Sequence, residues 1–156
     1  MEIYKEYYQQ LDKSYNEHLL KTKKIIVMDI KRTYANINTQ ETKDKMLRIL
    51  YNFSKRNTEI GYCQGMNFVC YHFLEYGFSE EETFWIMSYL LENLIPKNYY
   101  VNMVPLITDI KMLKQLLNHK NNNLVKHLQN LNVDLNFLLI PWFVMIFTNL
   151  SNKDVK

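Results

Sequence analysis

Residues 66–85 read MNFVCYHFLEYGFSEEETFW, and this stretch decides the fold. Its first half places Phe68, Val69, Tyr71, Phe73 and Leu74 in an apolar pattern with no turn signal before Tyr76. Gly77 follows where a helix would stop, since glycine enters left-handed backbone without a Cβ penalty. Ser79 and Glu82 then form a capping-box pair, and Glu80 and Glu81 suit the positive end of a helix dipole. One helix ends and another begins within a few residues, which leaves no room for a strand.

The same grammar extends outward. Toward the C-terminus, the second helix is expected to reach Leu94, before Pro96. Pro105 suits the first turn of another helix running to about Leu117. Asn121 to Asn123 reads as a loop, Leu124 to Leu131 as a short helix, and Leu135 to Leu150 as the most apolar segment. Toward the N-terminus, Arg56 to Gly65 is a polar loop holding two of the three glycines. Before it, Asn38 and Glu41 match a capping box, and Met46, Leu47, Leu50, Tyr51 and Phe53 have helical spacing. Ile25 to Arg32 is a compact segment, and Tyr4 to Leu20 reads as one or two short helices.

Composition agrees. The chain has 156 residues, 47% hydrophobic, enough for one domain with a real core. Three glycines and three prolines are too few for the turns of a β-sandwich. Twelve Tyr, eight Phe and eight Met exclude a disordered chain. The fold class is all-α, with about eight helices, and Trp85, Trp142 and the large apolar residues are expected in the core.

Charge removes several functions. Nineteen basic against sixteen acidic residues give a net charge of +3, too small and too dispersed for a nucleic-acid binder. No apolar run is long enough to span a bilayer, and the N-terminus lacks the apolar core of a signal peptide. Cys63 and Cys70 lack metal or redox spacing, and His18, His72, His119 and His127 are scattered, so no metal site is expected. A reduced, cytoplasmic protein follows.

Two segments carry chemistry. Asp29 and Arg32 are i, i+3 neighbours on a helix, so the carboxylate can aim the guanidinium. Alone, that pair is usually an exposed ion pair of about 0.2–0.5 kcal/mol. In Gly61-Tyr62-Cys63-Gln64-Gly65-Met66-Asn67, a glutamine precedes a glycine that permits close backbone approach at a helix start. Alone, that loop is a tight connection with Tyr62 packed inward and Gln64 solvated. Cys63 has no base nearby in sequence that would make it a nucleophile.

Together, the two segments resemble a known family. Ile26-x-x-Asp29-x-x-Arg32 followed by Thr33 is similar to the IxxDxxR signature of the TBC domain, which activates Rab-type small GTPases. Tyr62-Cys63-Gln64-Gly65-Met66-Asn67 is similar to its YxQ signature. Glu82-Thr83-Phe84-Trp85 and Pro141-Trp142-Phe143 resemble later family segments. The resemblance spans nearly all of residues 1–156 and implies a single TBC-like domain. Because the family pattern continues beyond the Trp-Phe segment, the chain is expected to cover its N-terminal two-thirds. The exposed face that this would leave implies self-association.

The resemblance further implies a GTPase activator, acting on a partner's reaction rather than on a substrate of its own. Arg32 would be an arginine finger and Gln64 a glutamine finger. Asp29, Tyr62 and Gly65 would support them. GTP and magnesium would belong to the partner, a Rab-family GTPase, and no cofactor to this chain. Such a protein would act in vesicle trafficking, in the cytoplasm and at endomembranes through that partner. The alternative is a non-catalytic TBC-like module that docks a GTPase or a scaffold.

Overall fold

The computed structural model describes residues 2–14, 16–33, 39–96 and 98–150, and among these it contains helices and no strand. The helices fall into two compact units, residues 1–95 and 96–156.

The first unit opens with α1 (Glu2–Lys13), a single 3-10 turn (Glu17–Leu19) and α2 (Leu20–Thr33). Next come α3 (Gln40–Arg56), α4 (Met66–Glu75) and α5 (Glu80–Tyr89), the last running on through a π-helical turn at Leu90–Leu94. α3 is the hub and packs against α1, α2, α4 and α5. Its Met46, Ile49, Leu50 and Phe53 are fully buried, a stripe at helical spacing that needs apolar neighbours on several sides. Asn38 lies outside the described residues. The helix is capped by Thr39, whose hydroxyl accepts the Thr42 N–H at 3.2 Å.

The break between α4 and α5 follows local chemistry. Gly77 adopts φ +94°. The Phe78 N–H bonds the Phe73 carbonyl at 3.3 Å and the Gly77 N–H bonds the Leu74 carbonyl at 3.1 Å. Those two bonds are the Schellman pair, and the Phe73 and Phe78 rings meet edge-on at 6.1 Å, the apolar contact that accompanies it. Ser79 and Glu82 then close both halves of the capping box. Glu80 ties three helices together. It accepts from the Tyr8 hydroxyl at 2.7 Å and from Arg48 Nε and Nη2 at 2.8 and 2.7 Å. Its burial opposes ionisation, but those donors prevail and hold its carboxyl below the usual range.

The second unit comprises α6 (Val104–Lys120), α7 (Asn122–Asn130), α8 (Leu135–Val144) and a 3-10 turn at Thr148–Leu150. Pro105 does stand in the first turn of α6. The Asn121–Asn123 loop shrinks to one residue: the Asn121 side chain accepts the Leu124 N–H at 3.2 Å, which lets the helix begin at Asn122. The apolar segment stops at Val144 rather than Leu150. There the Tyr100 hydroxyl bonds the Val144 carbonyl at 2.9 Å, and Ile146 and Phe147 turn left-handed at φ 51° and 60°. Leu139 is buried in this unit, while Phe137 is 81% exposed. Trp85 and Trp142 are half-buried rather than core. Trp85 lies under the Arg56 guanidinium at 5.2 Å, which keeps one face of the indole at the surface.

Candidate functional site

The last turn of α2 carries Asp29, Arg32 and Thr33. Ile26 and Ile30 are buried, so the helix is pinned by its apolar side. Arg32 falls in the last turn, where the negative end of the helix dipole favours a cation. Its side chain is 68% exposed, whereas that of Asp29 is only 3% exposed. Arg32 Nη2 donates to Asp29 Oδ1 at 2.5 Å. A buried carboxylate thus holds one of the two terminal nitrogens of an exposed guanidinium.

The second oxygen of Asp29 faces another segment. Oδ2 accepts from the Tyr62 hydroxyl at 3.0 Å, across a sequence separation of 33 residues. Burial, and then the charge of Asp29, push the Tyr62 phenol well above its ordinary value, so it stays protonated and remains a donor. Tyr62 is thereby the anchor of the loop that carries Gln64. Gln64 is exposed and Gly65 is buried beside it. Gly65 adopts φ +111°, ψ −32°, a conformation that side chains strongly disfavour. This sharp bend turns the chain from the glutamine directly into α4.

Residue-by-residue reading missed what closes the site. Asn67, in the first turn of α4, is 1% exposed. Its Oδ1 accepts the Gly65 N–H at 2.9 Å and lies 3.3 Å from the Tyr62 hydroxyl. Its Nδ2 donates to Thr33 Oγ1 at 2.7 Å, and Thr33 Oγ1 donates to the Asp29 carbonyl at 2.8 Å. The start of α4 is therefore served by Asn67 and not by Gln64. The signal in the sequence is an asparagine two residues after a glycine at an expected helix start, where a short amide competes well for backbone groups.

Cys63 sits in the same loop, and burial followed by the Asp29 charge pushes its thiol upward, away from nucleophilic use. The geometry instead presents an oriented cation and an exposed amide on segments joined by buried hydrogen bonds. Such an arrangement suits stabilising an anion and orienting water on another molecule.

Comparison with known proteins gives a consistent result. Residues 1–154 match the family model described as the Rab-GTPase-TBC domain. Human TBC1 domain family member 2A is 34% identical over 130 residues, covering 80% of this chain and 14% of the relative. Xenopus tropicalis TBC1 domain family member 2B is 30% identical over 155 residues, covering 96% of this chain and 16% of the relative. The chain thus spans a small part of the length of those relatives. In fold it is similar to the crystal structure of a Chlamydomonas flagellar RabGAP TBC domain. That likeness has a TM-score of 0.77 and 23% identity, over 92% of this chain and 48% of that one.

Proposed function

The chain belongs to the Rab-GTPase-TBC domain family, and from that premise we propose that it accelerates GTP hydrolysis on a Rab-type GTPase by lending Arg32 and Gln64 to the partner's active site. The partner supplies the nucleotide and its magnesium ion, and through it this chain works at endomembranes. In the transition state, negative charge spreads over the γ-phosphoryl oxygens while a water attacks in line. Arg32 brings a planar, always-charged fork to those oxygens. An arginine supplied in trans contributes roughly 10³–10⁵ in rate. Asp29 holds that fork in direction before the partner arrives. Gln64 offers an amide whose carbonyl accepts from the attacking water while its NH₂ donates toward phosphate. Tyr62 and Gly65 shape its loop.

The observation that carries this reading is the use of both Asp29 oxygens, one on Arg32 and one on Tyr62. A surface ion pair with no further role would have little use for a carboxylate that also anchors a distant glutamine loop. We further propose that the chain self-associates through α8, where Phe137 is exposed.

The test is single-turnover phosphate release from a panel of GTP-loaded Rab GTPases, each with and without its own switch glutamine. If Gln64 orients the water, a stimulated Rab stays stimulated after losing its glutamine. Gln64→Ala then costs about as much as Arg32→Ala, and the double variant is far from additive. A glutamine-less Rab that becomes inert, together with a silent Gln64→Ala, leaves only the arginine. Absence of stimulation across the panel, with binding retained, favours the docking module.

A further inference from the structure

We infer that Asn67 is a positioning residue for both fingers, because its two polar atoms each bond the residue that directly follows one of them. The inference rests on the two-finger reading above. Oδ1 takes the N–H of Gly65, next to Gln64, and Nδ2 reaches the hydroxyl of Thr33, next to Arg32. A single side-chain amide therefore stands one peptide away from each catalytic group, in a direct side-chain hydrogen bond from α4 to α2, while the Asp29–Tyr62 bond ties α2 to the preceding loop.

The chemistry requires an amide in one orientation. The Gly65 N–H can only donate, so it needs oxygen. Thr33 uses its single hydroxyl proton on the Asp29 carbonyl, so toward Asn67 it can only accept, and it needs the NH₂. Aspartate would set two acceptors against each other near the Asp29 carboxylate. Alanine would leave the Thr33 oxygen and the Gly65 N–H without their partner in a buried site. Neither substitution removes an exposed atom that a GTPase would touch, since Asn67 is 1% exposed. Its effect must pass through the placement of the fingers, where a shift on the order of 1 Å costs about 10²-fold.

The test uses this protein with a GTP-loaded Rab that it stimulates, and measures the maximal single-turnover rate, the half-saturating concentration and the melting temperature. Asn67→Ala and Thr33→Val, which cut the bridge from opposite ends, are expected to lower the maximal rate by about 10- to 100-fold. Half-saturation should move by less than about twofold, since the contact surface is unchanged. Thr33→Ser keeps the hydroxyl and should restore the rate. In an Arg32→Ala or Gln64→Ala background, Asn67→Ala should add less than about threefold, because the two fingers act on one transition state and losing either removes most of what placement can contribute. A purely structural Asn67 would instead lower the melting temperature and give the same fold-loss in every background. A wild-type rate for Asn67→Ala and Thr33→Val, with Arg32→Ala and Gln64→Ala inactive, overturns the inference and leaves the fingers standing. Silent Arg32→Ala and Gln64→Ala overturn the finger reading itself. Should Asn67→Ala fail to fold, Thr33→Val against Thr33→Ser decides alone.

Discussion

Replacing Asp29 by Asn separates aiming the arginine from supplying it. Asparagine keeps the shape and an oxygen acceptor, so the Tyr62 hydroxyl retains a partner and the buried site is not opened. What disappears is the hold on Arg32 Nη2, both its charge and its hydrogen bond, because the NH₂ in place of Oδ1 cannot accept from a guanidinium. The Arg32 side chain is 68% exposed, so without that grip it regains the rotamer freedom of a solvated arginine. That freedom amounts to about 2 kcal/mol, which must then be lost again in the transition state. About 2 kcal/mol corresponds to roughly 30-fold in rate. Arg32→Ala removes the cation altogether and should cost about 10³–10⁵. Single-turnover phosphate release from a GTP-loaded Rab should therefore place Asp29→Asn between wild type and Arg32→Ala, about 30- to 3000-fold above the latter. Helical circular dichroism should be unchanged. An Asp29→Asn protein that hydrolyses at the wild-type rate refutes the orienting role. One as inactive as Arg32→Ala, yet folded, refutes the division between aiming and charge.

Other perturbations have distinct signatures. Arg32→Lys keeps a charge but loses the planar fork, so stimulated hydrolysis should recover little above Arg32→Ala. Glu80→Gln breaks the tie between Tyr8 and Arg48. With Arg48 40% exposed and partly screened, urea unfolding should report a loss of about 1–2 kcal/mol. Because the folded Glu80 carboxyl is held below its ordinary value of 4.5, its contribution is present above that pH. It is lost as acid carries the pH down through the folded value, and Glu80→Gln should flatten that acid limb. Phe137→Ser should shift sedimentation of a concentrated sample toward the monomer if α8 mediates self-association. An unchanged sedimentation profile would remove α8 from that role.

The parts of the fold legible in the sequence were those governed by neighbours along the chain. Gly77, Ser79 and Glu82 act within a few residues, and the α4–α5 boundary follows from them alone. The end of α8 was not legible, because a hydroxyl 44 residues away takes the Val144 carbonyl. The start of α7 was misread for a different reason. Three asparagines look like a loop, although one suffices as a cap and the next two tolerate a first turn. The site divides along the same line. Asp29 and Arg32 are one helical turn apart, so their pairing is visible in the spacing. The Asn67–Thr33 bond spans 34 residues, and only tertiary packing of α2 on α4 brings its ends together.

The partnership of Arg32 with a buried carboxylate also bears on how a partner is met. Arg32 and Asp29 together carry no net charge, so from a distance they act as a dipole whose field fades faster than that of a single ion. At physiological salt every exposed charge is screened over about 8 Å, and within that range the field of the Arg32–Asp29 pair is spent sooner than that of an unpaired cation. Attraction within that range falls to the exposed lysines of the same helix, Lys21, Lys23, Lys24 and Lys31. Encounter and chemistry therefore depend on different cations: added salt should slow the arrival of an acidic partner while leaving the hydrolysis of an already docked one almost untouched.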